Sequence, residues 1–549
     1  MRFREDQSSQ KLRGGYYTPP DLAAFISQWV SRIHPTEILE PSCGDGAFFA
    51  GLATCDGGAR VTACESDPVE AAKATARARR LRLSAAVHPT DFLAWALPQL
   101  AERRTPFDAA VGNPPFIRYQ YLPPRFQAAA GRIFASLGCR FTRHTNAWVP
   151  FLLASVALLR PGGRLGMIVP AEVLHVRHAQ SLRAYLATHC RRVVLIDPVR
   201  LWFPDTLQGA VILLAQKKDD GCAPAHRVGV HSVSNREFLA SDPDDIFRST
   251  PTVNSVTTTG KWTPALLPSP VRSILDNAPL LPAVRPFGRI GSAQVGIVTG
   301  ANAFFLVDDA TVARFGLGGV AHPMFGRSAH CPGIIYDRAQ HRRNASAGQP
   351  TNFLWFRNAS SCKSSRVREY LAMGESQSLH LRFKCRIRNP WYAVPSVYST
   401  HLSLLKRAHD APRLILNRAA AFTTDTAYRV RSTLVPAETL AACFLNPLTA
   451  LSAEIEGRHY GGGVLELIPS EIRNLLVPVP TRPAFNIAGL DDEVRRSSMT
   501  DVLGSHGFKV LAAAGLSGND RVSVMDGWAA LRSRRHRKPM ASCHSADVG

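Results

Sequence analysis

The sequence predicts a doubly wound α/β fold, a Rossmann-like sheet in the first half of the chain, followed by a second domain of mixed or β-rich type. Three observations predict it. Short apolar runs alternate with helical stretches over residues 16–220, as βαβ units require. A glycine-containing loop follows the first of those runs, at the strand end where an open α/β sheet places its ligand. After about residue 286 the pattern changes to short strand-like pieces separated by Gly, Pro and Asn. A chain of 549 residues is also too long for one ordinary domain.

Taken in order, residues 37–39, 60–64, 107–111, 164–169, 192–196 and 210–214 are the six predicted strands, and 69–83 and 148–159 carry helical patterns between them. Residues 217–224 form a polar break, so the first domain spans 12–220. Residues 221–285, with frequent Pro, Ser and Thr, read as an irregular connecting region. The second domain covers 286–480. Residues 481–549 are a weakly patterned tail, in which 524–535 has the pattern of a short amphipathic helix with a basic end.

Composition narrows the class. Hydrophobic residues make up 45% and charged residues 19%, ordinary for a folded soluble chain. No apolar run reaches the ~18 residues of a membrane span, and the polar N-terminus lacks the apolar core of a secretory signal, so a cytoplasmic protein is expected. Eleven cysteines are scattered without a CxxC pair or Cys/His cluster, which argues against a metal site and for reduced thiols. Lys and Arg number 65 against 42 Asp and Glu, a net charge of +23, which favours a polyanionic partner without identifying it.

The glycine loop reads Ile38-Leu39-Glu40-Pro41-Ser42-Cys43-Gly44-Asp45-Gly46. With only Gly44 and Gly46 it lacks the GxGxxG dinucleotide pattern, and no Lys follows as in a P-loop. Glu40 stands where a phosphate site would avoid a carboxylate. A cationic ligand without phosphate fits, and S-adenosyl-L-methionine carries positive sulfonium and amino groups. Glu65, after the second strand, can accept hydrogen bonds from ribose hydroxyls. Asp91 and Phe92 offer a carboxylate and a ring to an adenine, and a helix is expected to open near Ala47.

The third strand runs into Asn113-Pro114-Pro115-Phe116. Two prolines fix φ, remove two backbone donors and hold the residues before them extended. The stiff loop displays acceptors, the Asn113 side-chain oxygen and the Pro114 carbonyl. An amino group conjugated to an aromatic ring needs such acceptors: drawing on its two N–H groups favours a pyramidal nitrogen and frees its lone pair. Phe116 would stack on the base, which must leave a duplex to reach the loop.

At these residues the chain resembles the gamma-class adenine-specific DNA methyltransferases, the TaqI-like group of restriction–modification systems. The resemblance implies a methyltransferase sheet that binds S-adenosyl-L-methionine and a target-recognition domain that binds double-stranded DNA. Gly15-Tyr16-Tyr17-Thr18-Pro19-Pro20 resembles the family's segment that closes over the methionine part of the cofactor, with Thr18 as its hydroxyl. Glu40, Cys43, Gly44, Gly46, Glu65, Asp91 and Phe92 match the cofactor positions, and Asn113 to Phe116 the catalytic tetrapeptide, with Phe where Tyr is common. Phe203 is implied to sandwich the flipped base, with Trp202 as its competitor. Residues 294–302 and 456–469 resemble the opening and closing segments of the recognition domain.

Arg118, Arg386, Arg388 and Arg418 are candidates for phosphate contacts. Enzymes that methylate ribosomal RNA or a protein glutamine use a similar loop, and a non-catalytic DNA-binding accessory protein is a further alternative. The position of the cofactor segment near residue 15 and the long second domain favour DNA, and Asn at the first loop position favours adenine over cytosine. No nuclease pattern is evident, so the sequence suggests a methyltransferase alone, one that either partners a separate cognate restriction endonuclease or acts as an orphan.

Overall fold

The computed structural model describes residues 18–54, 58–202, 209–223, 226–254, 260–357, 364–481 and 485–537. They fall into two units, residues 1–266 with 537–549, and residues 267–536.

The first unit is built on nine strands: β1 (Glu37–Glu40), β2 (Arg60–Glu65), β3 (Ala85–Pro89), β4 (Phe107–Gly112), β5 (Leu159–Pro170), β6 (Cys190–Pro198), β7 (Ala210–Lys217), β8 (Arg227–Val233) and β9 (Thr252–Asn254). Their order in the sheet is β3-β2-β1-β4-β5-β7-β6-β8-β9. The strands from β3 to β5 are parallel, and β7 runs antiparallel between β5 and β6. Helices α1 (Pro20–Ser31), α2 (Phe49–Ala53), α3 (Pro68–Arg80), α4 (Phe92–Ala101), α5 (Pro124–Ser136), α6 (Trp148–Ala157), α7 (Gln180–His189) and α8 (Pro243–Ser249) lie between the strands.

All six predicted strands are present, and the period of two divides their side chains between two apolar layers. Leu39, Ala110, Leu165 and Leu213 face a layer holding Phe92, Phe134, Trp148 and Leu152. Ile38, Ala109, Ile168 and Ile212 face the other, with Phe25, Trp29, Phe49 and Phe247. Asp67 starts α3 by accepting the Val69 N–H at 2.9 Å, and Pro68 at the first turn needs no donor there.

Three expectations are corrected. β3 was not anticipated, because a short strand that opens with two alanines and buries no residue fully leaves no apolar run. Residues 221–285 are not an irregular connector: β8 and β9 extend the sheet, and α9 (Ser269–Asn277) belongs to the second unit. Gly229, His231 and Ser232 interrupt the apolar pattern of β8 and hid it. The helix after the glycine loop opens at Phe49 rather than near Ala47.

The second unit centres on a five-stranded sheet of β10 (Gly291–Val295), β11 (Ile335–Tyr336), β12 (Leu402–Leu405), β13 (Leu414–Asn417) and β14 (Ala427–Ser432), ordered β10-β14-β12-β13-β11. Only the β11–β13 pair within it is parallel. Helices α10 (Pro447–Glu456), α11 (Ile487–Arg496) and α12 (Gly518–Arg535) complete it, so the unit is mixed rather than all-β.

Most of the expected tail is therefore part of this unit. Leu490, Val494 and Val502 share one apolar cluster with Phe287, Leu402 and Leu416. Asp491 Oδ1 accepts the Ile334 and Ile335 N–H groups at 2.6 and 2.8 Å, capping the start of β11 from α11. The predicted amphipathic segment 524–535 is the end of α12, which begins at a Ser517–Asp520 capping box and packs on α10. Its last residue, Arg535, meets Glu454 of α10 at 2.7 Å with both side chains 0% exposed. Burial pushes the Glu454 carboxyl up, but hydrogen bonds from His459 and Arg535 outweigh burial and hold it below its usual range.

Removing Arg535 would leave a buried carboxylate without its main counter-charge. Arg535→Ala is expected to destabilise the second unit by about 3–5 kcal/mol at neutral pH, read as a lower urea midpoint. Because the folded Glu454 carboxyl is depressed, its contribution is present above the unfolded carboxyl value, about 4.3, and fades as pH falls toward the folded one. The gap between wild type and variant should narrow on acidification, and an equal midpoint at neutral pH would remove the ion pair from the account.

Candidate active site at the switch point of the sheet

β1 lies between β2 and β4 and is parallel to both, with Ile38 opposite Val61 on one side and Ala109 on the other. The chain leaves β1 toward β2 and β3, then crosses back to β4. The loops after β1 and β4 therefore diverge at adjacent strand ends, the crevice where open α/β sheets bind ligands.

The glycine loop is tied down from β2. Cys43 N–H donates to the Cys64 carbonyl at 3.0 Å, and Gly46 N–H to the Cys43 carbonyl at 2.8 Å. Gly44 and Gly46 take φ of +54° and +84°, a region that favours glycine. A Cβ on Gly46 would meet the Phe49 ring at 2.6 Å, whereas one on Gly44 would find nothing within 4 Å, so at Gly44 the backbone is open to a ligand. Glu65 at the end of β2 clasps the loop: Oε2 accepts the Gly44 N–H at 3.0 Å and Oε1 the Asp67 N–H at 2.8 Å.

Glu40 is different in kind. It is 1% exposed, and neither carboxylate oxygen has a hydrogen-bond partner among the described residues. Burial raises its proton affinity well above the usual value, Asp45 and Glu65 raise it further, and Arg77 opposes them. Arg77 is itself paired with Asp45 at 3.1 Å. A buried carboxylate without donors is costly. Its position at a strand end, beside two more acids and an open backbone, makes it an acceptor for a cationic or N–H-bearing ligand. The residues present thus fit S-adenosyl-L-methionine.

Asn113 follows β4 directly. Its Nδ2 donates to Thr18 Oγ1 at 3.3 Å, and Ser42 Oγ donates to its carbonyl at 3.3 Å. One residue thereby joins the segment before α1, the glycine loop and the Asn-Pro-Pro loop. With Nδ2 committed as donor to Thr18, Oδ1 is the acceptor end of the amide. Thr18 and Pro114 are buried, and Pro115 and Phe116 half-buried. Phe116 packs against both apolar layers, which fixes the far end of the tetrapeptide.

A network that the sequence did not reveal supports this loop. Glu172, just after β5, accepts from Asn146 Nδ2 at 2.9 Å and Trp148 Nε1 at 3.1 Å. Asn146 Oδ1 in turn accepts the Tyr119 N–H at 3.1 Å, and Ala147 N–H donates to the Ile117 carbonyl at 3.0 Å. The only signal available was an acid immediately after a strand, which is also what a solvated cap looks like.

Other expected residues fall elsewhere. Asp91 caps α4, its Oδ1 accepting from Leu93 and Ala94 N–H at 2.8 and 3.3 Å. Phe92 is 1% exposed and packs on Trp95 and Phe151, so its ring belongs to the core in this conformation. Cys43 is buried with its thiol pushed up by burial. Trp202 is a core residue stacked on Phe238, and Phe203, like residues 15–17, lies outside the described residues. Arg118 and Arg386 are exposed. Arg388 instead donates to the Thr299 and Val298 carbonyls at 2.7 and 2.6 Å, and Arg418 pairs with Glu438 at 2.5 Å.

Comparison with known proteins bears on the family. Residues 72–200 match the Eco57I restriction-modification methylase model, and residues 259–511 match the C-terminal domain of Type II methyltransferase M.Eco57I. The second match runs past residue 480 into the helices that the sequence left as a tail. Type II methyltransferase M.XamI of Xanthomonas campestris pv. amaranthicola is 24% identical over 479 residues, 85% of each chain. M.AccI of Acinetobacter calcoaceticus is 21% identical over 468 residues, 83% of this chain and 84% of that one. M.TthHB8I of Thermus thermophilus is 29% identical over 221 residues, 39% of this chain and 48% of that one. The chain belongs to the DNA methyltransferases of restriction–modification systems.

Proposed function

We propose that the chain transfers a methyl group from S-adenosyl-L-methionine to the N6 amino group of an adenine flipped out of double-stranded DNA, and that the second unit selects the target. The observation that carries this reading is Asn113: its amide is oriented by Thr18 and its backbone held by Ser42, beside the unpartnered carboxylate of Glu40.

Glu40, the Gly44 backbone and Glu65 would hold the cofactor, which supplies an electrophilic methyl carbon on a positively charged sulfonium. Asn113 Oδ1 and the Pro114 carbonyl accept the two N–H groups of the adenine amine, which localises its lone pair without a strong base. Phe116 offers a stacking face to the extruded base. Residues 112–116 can do this only if rigid, and the two prolines and the Asn146–Glu172 network supply that rigidity.

The direct test incubates the purified protein with methyl-labelled S-adenosyl-L-methionine and unmethylated genomic DNA, with ribosomal RNA and a translation release factor in parallel. Label in N6-methyladenine from DNA is expected; label confined to RNA or protein would overturn the substrate. Asn113→Ala should retain cofactor affinity and lower kcat by about 100- to 1,000-fold, the loss typical of one preorganised hydrogen-bonding group at the reacting centre. Unimpaired transfer would remove Asn113 from the chemistry.

The raised proton affinity of Glu40 gives a pH prediction. The ligand-free unit is favoured by a protonated Glu40 and loses that contribution as pH rises through the folded value. A cationic ligand prefers the carboxylate, so cofactor affinity and cofactor-induced thermal stabilisation should both increase as pH rises above the ordinary carboxylate range. Glu40→Gln should bind about 10- to 100-fold more weakly and lose that dependence. An unchanged pH profile in Glu40→Gln would place the titrating group elsewhere.

A further inference from the structure

Residues 381–387 of the second unit form an exposed knuckle of unusual composition. Leu381, Phe383 and Ile387 are 62%, 62% and 63% exposed. Isolated exposed apolar side chains are ordinary, but three large ones within one short segment mark an interaction surface. Between them stand Arg382, Lys384 and Arg386, all exposed. Lys384 Nζ and the Arg386 guanidinium each lie 5.5 Å from the Phe383 ring centroid. No Asp or Glu occurs in the sequence between Glu375 and Asp410, so no acid close in sequence offsets this charge.

The knuckle is held from beneath. Leu379 and Cys385 are buried in an apolar cluster with Phe304, Tyr370 and Trp391. Arg388 fastens its end to the Val298 and Thr299 carbonyls. Gly300, at φ +80°, lies so close that a Cβ there would come within 2.8 Å of Lys384 Cβ. The Val298-Thr299-Gly300 stretch, which the sequence marked only by resemblance, is thus the seat of the knuckle. A rigid base under three projecting apolar side chains suits insertion better than a pliable loop would.

We propose that this knuckle is a wedge that contacts duplex DNA, with Phe383 inserting against the base stack, Leu381 and Ile387 excluding water beside it, and Arg382, Lys384 and Arg386 gripping the neighbouring phosphates. The inference rests on the reading of the chain as a DNA adenine methyltransferase. Cationic residues interleaved with an aromatic match a polyanion whose interior is a stack of aromatic faces. Apolar wedges unstack and kink a duplex, and extruding a base requires such unstacking.

The test uses the full chain and a mixed-sequence closed circular plasmid, relaxed by a topoisomerase with the protein bound. The shift in linking number reads unwinding, and methyl transfer to the same plasmid is measured alongside. Wild type should unwind the plasmid. Phe383→Ala should lose most of the unwinding and at least about tenfold in kcat/KM, while low-salt affinity changes by no more than about threefold because phosphate contacts dominate it. Phe383→Trp should restore both. Replacing Arg382, Lys384 and Arg386 together by Ala should reduce the slope of log affinity against log salt by about 2–3.

Unwinding and turnover in Phe383→Ala equal to wild type would overturn the wedge while leaving the methyltransferase reading intact. Wild-type protein that neither binds nor methylates duplex DNA would overturn both. Phe383-dependent binding to phosphatidylglycerol vesicles, with DNA behaviour unchanged by the substitution, would assign the knuckle to a lipid surface instead.

Discussion

The site depends on β1 being enclosed by two parallel neighbours, β2 and β4, because the chain runs out through β2 and β3 on one side and then crosses back to β4 on the other. That topology opens a crevice at the strand ends and lets residues distant in sequence converge there: Thr18 from before α1, Glu40 at the end of β1 and Ser42 just past it, Glu65 at the end of β2, Asn113 after β4. Strand β1 is only four residues long, so its register with both neighbours leaves Glu40 little latitude. A one-residue slip would exchange Ile38 and Leu39 between the two apolar layers and turn Glu40 to the other face.

Within that frame, three carboxylates at or just past the ends of the neighbouring strands β1, β2 and β3 have different roles. Asp91 spends Oδ1 on the first turn of α4, and Glu65 spends both oxygens on the backbone of the glycine loop and the turn that follows β2. Both reinforce the site in the absence of ligand. Glu40 has no such internal employment and sits deeper than either. Proteins rarely leave a buried polar group without a partner, so its position costs the fold stability, and Asp45 and Glu65 add to that cost by raising its proton affinity further.

Much of this was legible in the sequence. The strands and the two loops stand out because parallel strands buried on both faces read as apolar runs and because glycine and proline punctuate them. The bond from Thr18 to Asn113 was not legible, since nothing local relates two residues so far apart, and only the resemblance placed them at one site. Phe92 lies in the core, 1% exposed, and a ring after a capping Asp looks the same in sequence whether it faces a ligand or the core. The tail was misread because α11 and α12 take their apolar partners from elements distant in sequence: α11 shares a cluster with Leu402 and Leu416, and α12 packs on α10.

The net charge of +23 illustrates how composition overstates an interaction surface. Many arginines are structural, donating to backbone carbonyls. Arg183, 2% exposed, donates to the Val173 and Val176 carbonyls at 2.9 Å each. Arg413 reaches the Cys331 and Gly333 carbonyls at 2.7 and 3.1 Å, and Arg429 those of Ser396 and Val295 at 2.7 and 2.8 Å. The guanidinium fork suits this task, since several donors in fixed geometry meet two carbonyls at once. An arginine so employed contributes to the long-range field but cannot also grip a phosphate. The cations that can are those with no carbonyl or carboxylate to serve, and in the second unit Arg382, Lys384 and Arg386 stand exposed among apolar side chains rather than acids. The distribution of partners, more than the total charge, decides where a polyanion is bound.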